Sequence, residues 1–227
     1  MKKSTIIILL AIIMSVPNLV LAQKKGKAFT GTIEYELKYE GMDPAQEAQM
    51  PKTISTIISG NKSKTVLDAG MYAMNTITDG DTETLLIYLD IMGQKMAYRQ
   101  TKAEIDKAQE GAVKPIVKLI DETKQIAGYT AKKAEVTIIN EETLEENVTI
   151  IWYTNEIEIS PKANFANQHD GIDGFPLETI SKGNDMTQIM TATSVKKGKV
   201  KATEFLLPSD AKELTLDEFK EMFGGGE

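Results

Sequence analysis

From Phe29 onward the chain alternates, with Phe29, Ile33, Tyr35, Leu37 and Tyr39 spaced among Thr30, Thr32, Glu34, Glu36 and Lys38. A period of two sends successive side chains to opposite faces of an extended backbone, so this stretch is a half-buried strand and needs a sheet to join. The pattern then recurs between turn signals. "TISTIIS" runs into Gly60-Asn61, "SKTVL" into Asp68-Ala69-Gly70 and "AMNTIT" into Asp79-Gly80, while Gly93 divides "TLLIYLDIM" from "QKMAYRQ". Asp79-Gly80 is the sharpest of these, because the favoured two-residue hairpin turn needs positive φ at both positions. Further strands follow at "PIVKLIDET" (115–123), "TAKKAEVTII" (130–139), "NVTIIWYTN" (147–155) and "FPLETIS". "MTQIMTATSV" and "KVKATEFLL" are expected to form a hairpin across Lys196-Lys197-Gly198-Lys199.

Two segments break the period. In "TKAEIDKAQEG", Thr101 stands three residues before Glu104 as in a capping box, and Gly111 supplies a stop. Thr215-Leu216-Asp217-Glu218 repeats that signature ahead of Phe219, Met222 and Phe223. The expectation is a mainly β (α+β) fold: a large curved antiparallel sheet or half-open β-barrel of about ten to eleven strands, with one short middle helix and one C-terminal helix. Leu85 to Leu89 and Val148 to Tyr153 are apolar on both faces, which suits a sheet covered on one side and concave on the other.

The first residues read as an address. Lys2 and Lys3 precede an apolar run from Ile6 to Val16, and Val20-Leu21-Ala22 suits a signal peptidase, so residues 1–22 are expected to be removed and 23–227 to form a single β-rich domain. The run is too short to span a bilayer, and no integral membrane span is expected after cleavage, with a periplasmic or secreted product. There is no cysteine, which excludes disulfides, thiol nucleophiles and a lipidated N-terminal cysteine. Taking the two leader lysines from the net charge of -7 leaves -9, and Arg99 is the only arginine, a balance that argues against nucleic acid as partner.

Three segments taken together, "DETKQIAGYTAKKAEV" (121–136), "IWYTNEI" (151–157) and "GIDGFPLE" (171–178), followed by "MTATSV" and "FLLP", resemble the envelope proteins of Gram-negative bacteria grouped as domain of unknown function family 4412. The resemblance implies the half-open, helix-plugged barrel of lipoprotein carriers such as LolA, with a hydrophobic concavity, and it implies no enzymatic activity. Many members carry a cysteine near the "AGY" segment, where this chain has Ala131.

"QHDGIDGFPLE" (168–178) holds the chain's one histidine, His169, beside Asp170 and Asp173. Histidine titrates near neutrality and carboxylates take hard cations, but the spacing is not that of an EF-hand loop and a lone histidine makes no zinc site. The structural reading is preferred: Gly171 and Gly174 give backbone freedom at a turn, Pro176 fixes φ at a strand start, and Phe175 and Leu177 enter the core. Gly128, beside Tyr129, is expected at a bend in the sheet. Met71, Met74, Met92, Met96, Met186 and Met190 lie on or beside strands, and with Trp152 they are the candidate lining of a cavity, since flexible thioethers accommodate varied apolar ligands.

No serine-hydrolase elbow, P-loop, dinucleotide fingerprint or HExxH occurs, so neither catalysis nor a cofactor or metal is expected. The first functional expectation is an exported protein that binds or carries a hydrophobic small molecule, lipid or acylated peptide. The alternative is an envelope interaction or structural protein, plugged by its own Leu216, Phe219 and Phe223, with a protein partner.

Overall fold

The computed structural model describes residues 28–110, 113–139, 144, 146–164, 171–183 and 186–223. The expected leader at 1–22 and the pair His169 and Asp170 lie outside these. Twelve strands form one sheet: β1 (Gly31–Glu40), β2 (Thr53–Ser59), β3 (Lys62–Asp68), β4 (Tyr72–Asp79), β5 (Thr84–Ile91), β6 (Gln94–Thr101), β7 (Ile116–Ile126), β8 (Tyr129–Ile139), β9 (Glu146–Thr154), β10 (Phe175–Lys182), β11 (Thr187–Lys197) and β12 (Lys212–Leu214). Their spatial order is β12-β6-β5-β4-β3-β2-β1-β11-β10-β9-β8-β7. All neighbours are antiparallel except β12, which runs parallel to β6. The mainly β, open and curved architecture is as expected.

Turn chemistry accounts for the hairpins, with one correction. Met92-Gly93 joins the paired residues Ile91 and Gln94 with φ of 52° and 85°, and Ala127-Gly128 joins Ile126 and Tyr129 with φ of 49° and 85°. These are the two-residue turns with both centres left-handed. Gly128 is therefore in a hairpin turn between β7 and β8, not at a bend within the sheet. Asp79-Gly80 is no such turn. Asp79 pairs with Thr84, leaving residues 80–83 as a longer loop. There the Asp79 carboxylate accepts from Asp81 N at 3.0 Å and Thr82 N at 3.4 Å, and pairs with Lys62 Nζ at 2.6 Å. Gly80 is needed for closeness instead, because a Cβ there would lie 2.2 Å from the Lys162 carbonyl oxygen.

Of three α-helices among the described residues, α1 (Pro44–Glu47) is a single turn capped by Asp43 that the sequence pattern does not signal. α2 (Lys102–Gln109) carries the capping box of Thr101 and Glu104. α3 (Leu216–Phe223) is capped likewise by Thr215 and Glu218, each bonding the other's backbone N–H.

The expected hairpin of "KVKATEFLL" does not form. After β11 the chain makes a 3-10 turn at Ala202–Phe205 and crosses a whole face of the sheet, and β12 pairs with β6 at the far edge. Phe205, Leu207 and Ala211 meet Ile77, Leu86, Tyr88 and Ala97 on the way. Phe205 and Leu207 are half-buried there, and the apolar area they cover, at about 25 cal/mol per Å², outweighs the local preference for a hairpin.

Pairs directly opposite share a face. One face carries Leu37, Met190, Thr179, Ile151 and Ala134 in a row, and Thr56, Thr65, Thr76, Ile87 and Tyr98 in another. The second face carries Ile77 and Leu86 at one end and Trp152 at the other. There Lys124 of β7 reaches Glu178 of β10 at 2.5 Å across two intervening strands. Strands spaced about 4.8 Å apart bring such side chains together only if the sheet curls.

Candidate functional site

The first face bears a cavity of about 720 Å³. Its floor is read from three consecutive strands. β2 contributes Ile54, Thr56 and Ile58, β3 contributes Ser63 and Thr65, and β4 contributes Thr76 and Thr78. Their register places Thr56, Thr65 and Thr76 in one row and Ile58, Ser63 and Thr78 in the next, so hydroxyls fill the middle of the floor. Thr56 Oγ1 and Thr65 Oγ1 are 3.5 Å apart, and Thr78 is buried. Tyr35, Thr179 and Met190 extend the floor onto β1, β10 and β11.

The walls come from the chain between β9 and β10. Phe29 N donates to Glu158 O at 2.6 Å, Ser160 Oγ to Asn61 Oδ1 at 2.6 Å, and Ser63 Oγ to Ala163 O at 2.7 Å. These bonds hold residues 157–163 across the ends of β2 to β4, with the 3-10 turn Pro161–Asn164 seated on Gly80. Ile157, Ile159 and Ala163 present an apolar inner side. The opposite wall is Ile172, Asp173, Gly174, Phe175 and Pro176. Gly174 lies so close to β9 that a Cβ would stand 2.5 Å from the Tyr153 ring and 2.9 Å from the Thr154 carbonyl oxygen. Tyr35 Oη donates to Pro176 O at 2.9 Å, and burial pushes the Tyr35 hydroxyl far above its ordinary pKa, so it stays a donor at any working pH.

The structure distributes the expected lining residues widely. Met190 lines the cavity. Met71, Met74 and Met92 are exposed by 66%, 38% and 87% at the tips and edges of the β3–β4 and β5–β6 hairpins. Met96 and Met186 are half-buried outside the cavity. Trp152 is buried on the second face, beneath Lys124 Nζ at 4.4 Å and Lys133 Nζ at 5.6 Å from its ring centre. Gly171, Gly174 and Pro176 lie along the cavity wall, with Gly171 at φ of 92°. Sequence reading missed the hydroxyl floor. Its signal was present on two of the three strands: Ser63 and Thr65 in "SKT" and Thr76 and Thr78 in "NTIT" recur at every second position, whereas β2 offers only Thr56 between Ile54 and Ile58.

Charge is sparse around the cavity. Among the described residues its lining holds two carboxylates, Glu158 and Asp173, both exposed, and no lysine, arginine or histidine. Glu178, a buried carboxylate on the other face, is satisfied by Lys124 at 2.5 Å and Thr191 Oγ1 at 3.0 Å. No group of three ligating side chains suited to a metal occurs among the described residues. Nor is any of their helices long and apolar enough to cross a membrane.

Residues 46–220 match the sequence family described as N-glycanase peptide, N-terminal domain. No curated protein matches the chain. Among solved structures, PNGF-II in its C2 crystal form superposes with a TM-score of 0.55 at 20% identity, over 87% of this chain and 33% of that one. The chain thus spans about a third of that protein's length. The Mycobacterium tuberculosis lipoprotein LppX aligns at a TM-score of 0.36 and 10% identity, over 72% of this chain and 85% of its own. A β-barrel-like protein of domain of unknown function family 1849 from Brucella abortus aligns at 0.29 and 10%, over 76% and 99%.

Proposed function

The chain belongs to the N-glycanase peptide N-terminal domain family, and from that premise we propose that it is a non-catalytic binding protein, exported after cleavage near Ala22, that holds a hydrophobic ligand in the cavity above β1 to β4. The observation that carries this reading is the cavity itself: the described segments border about 720 Å³ without filling it. That volume falls within the usual range for small-molecule sites, and most of its wall is aliphatic or aromatic. Of the expected plug of Leu216, Phe219 and Phe223, the described Leu216 and Phe219 supply none of the lining, and Phe219 stacks on Tyr98 of β6 at 4.8 Å. The proposal of no catalysis rests on the partners of the cavity hydroxyls: Ser63 is bonded to a backbone carbonyl, and Thr56 and Thr65 face each other. A nucleophile needs a base at that distance.

The test is native mass spectrometry of the protein purified from a bacterial periplasm, followed by organic extraction. A discrete mass excess that extracts as an apolar small molecule supports the carrier reading. A clean apo mass with no uptake of added apolar ligands overturns it.

A second reading is favoured by one observation. Met71, Tyr72, Met74, Ile91 and Met92 are all exposed and lie together, with Met92 N bonded to Met71 O at 3.3 Å and Tyr72 paired with Ile91. Such a patch suits contact with a protein partner in the envelope. A pull-down in which Met92→Lys abolishes capture, and the cavity stays empty, would favour it.

A further inference from the structure

We propose that the cavity selects an uncharged amphiphile, of the monoacylglycerol kind, against fatty acids and other anions with the same chain. This rests on the carrier reading and names its ligand class.

The argument starts from what the lining lacks. A carboxylate or phosphate taken from water into such a site keeps its charge only with a cation or several donors beside it. Among the described lining residues there is no cation. The charged residues of that described lining are Glu158 and Asp173, both acidic and exposed, which disfavour an anion nearby. The net charge, -7 for the full sequence and -9 without the two leader lysines, adds to that repulsion.

What the lining has points the same way. Thr65 and Thr76 stand opposite each other on adjacent strands, both half-buried, and each hydroxyl both donates and accepts. A glycerol head with hydroxyls and an ester carbonyl offers the complementary groups without carrying charge. Among the described residues, the side chain of Thr76 makes no hydrogen bond that would compete for it. The tail then lies against Ile54, Ile159 and Met190, the half-buried apolar side chains that border the hydroxyl floor. An alkane would leave the hydroxyls under it unmatched, and a purely polar ligand would leave the aliphatic rim against water. Only a molecule with both ends satisfies both halves of the site.

The experiment titrates the full mature chain with 1-monolauroylglycerol and with laurate at pH 8, each below its micellar concentration, using native mass spectrometry and calorimetry. The expected result is tighter binding of the neutral lipid by about tenfold or more. Laurate binding as well as or better than monolauroylglycerol overturns the selectivity and leaves the carrier reading standing. Binding of neither overturns both. Thr76→Lys, which sets an ammonium on the floor, is expected to raise laurate affinity about tenfold, and an unchanged preference counts against the proposal. Thr76→Val keeps the shape if the lysine does not fold. It is expected to weaken monolauroylglycerol while leaving laurate unchanged, and equal loss for both would overturn the role given to the hydroxyls.

Discussion

The two faces of β4 are each crossed by a connecting segment, and the crossings end differently. On the second face, residues 202–211 lie directly on the sheet, with Phe205, Leu207 and Ala211 packed into Ile77, Leu86, Tyr88 and Ala97. On the first, Ile157 packs with Tyr35 and Ile58 in the main core, Ala163 is held by Ser63 Oγ, and a cavity remains over the rest of the segment's path. The strand is the same; the parity is not. Ile77 points to the packed cover, while Thr76 and Thr78 point under the open one. A cover collapses onto a sheet that offers bulk to fill the gap, and it spans a sheet whose short hydroxylated side chains gain nothing from contact with hydrocarbon.

Neighbouring positions should therefore respond very differently. Ile77→Ala is expected to cost about 3 kcal/mol, because a buried aliphatic side chain leaves a void that Phe205 and Leu207 cannot close. Thr76→Val, one residue away, should stay within about 0.5 kcal/mol. Urea unfolding of the two variants checks this, and comparable losses would mean that the first face is packed as tightly as the second.

Next in size is the attachment of the open cover. Gly80→Ala places a Cβ 2.2 Å from the Lys162 carbonyl oxygen, backbone against backbone, so the 3-10 turn must lift away. The expected cost is about 2 kcal/mol, with loss of ligand uptake. Gly198→Ala, which meets nothing within 4 Å, is the neutral control. Loss of stability with uptake intact would detach the cavity from this contact.

The contrast between the covers also explains what could be read in advance. Alternation from Phe29 to Tyr39 and the segments punctuated by Gly60, Gly70 and Gly93 are local facts, and the strands they mark are present. Both capping boxes were legible for the same reason, since three residues suffice to satisfy the first N–H groups of a helix. The path of 198–214 was not legible. Its partner strand β6 lies about a hundred residues earlier, and it is selected by the apolar strip of Ile77, Leu86 and Tyr88 together with the pairs Lys95–Asp210 and Arg99–Glu213. The methionines illustrate a second limit. Met190 and Met92 are equally apolar, yet one is on a cavity wall and the other at 87% exposure in a turn, because position in a hairpin, not residue type, decides exposure. The hydroxyl floor falls between: its period was visible, but its meaning needed the register that aligns three strands.

The smallest expected effects come from acid, and they separate the two covers by their clamps. Glu218, which ties α3 to the end of the packed cover, is held down to about 2 by the Lys212 ammonium and by the Thr215 backbone and hydroxyl. Its folded pKa lies below its ordinary value of 4.5, so its contribution is complete above that value and is lost as pH falls through about 2. At the open cover, burial pushes Asp79 up, but the Lys62 ammonium and the amides of Asp81 and Thr82 outweigh it and leave the carboxyl below its usual range. Both clamps release on acidification. Hydrogen exchange at Phe219 N–H, which bonds Thr215 O at 2.9 Å, should therefore accelerate as pH falls from 4.5 toward 2, once corrected for intrinsic rates. Glu218→Ala should abolish that dependence at Phe219 and leave the acid response of the Gly80 amide, which bonds Asn61 O, intact. If both amides lose their pH dependence together, the two covers open as one unit; if only Phe219 does, the packed and open sides of the sheet are held independently.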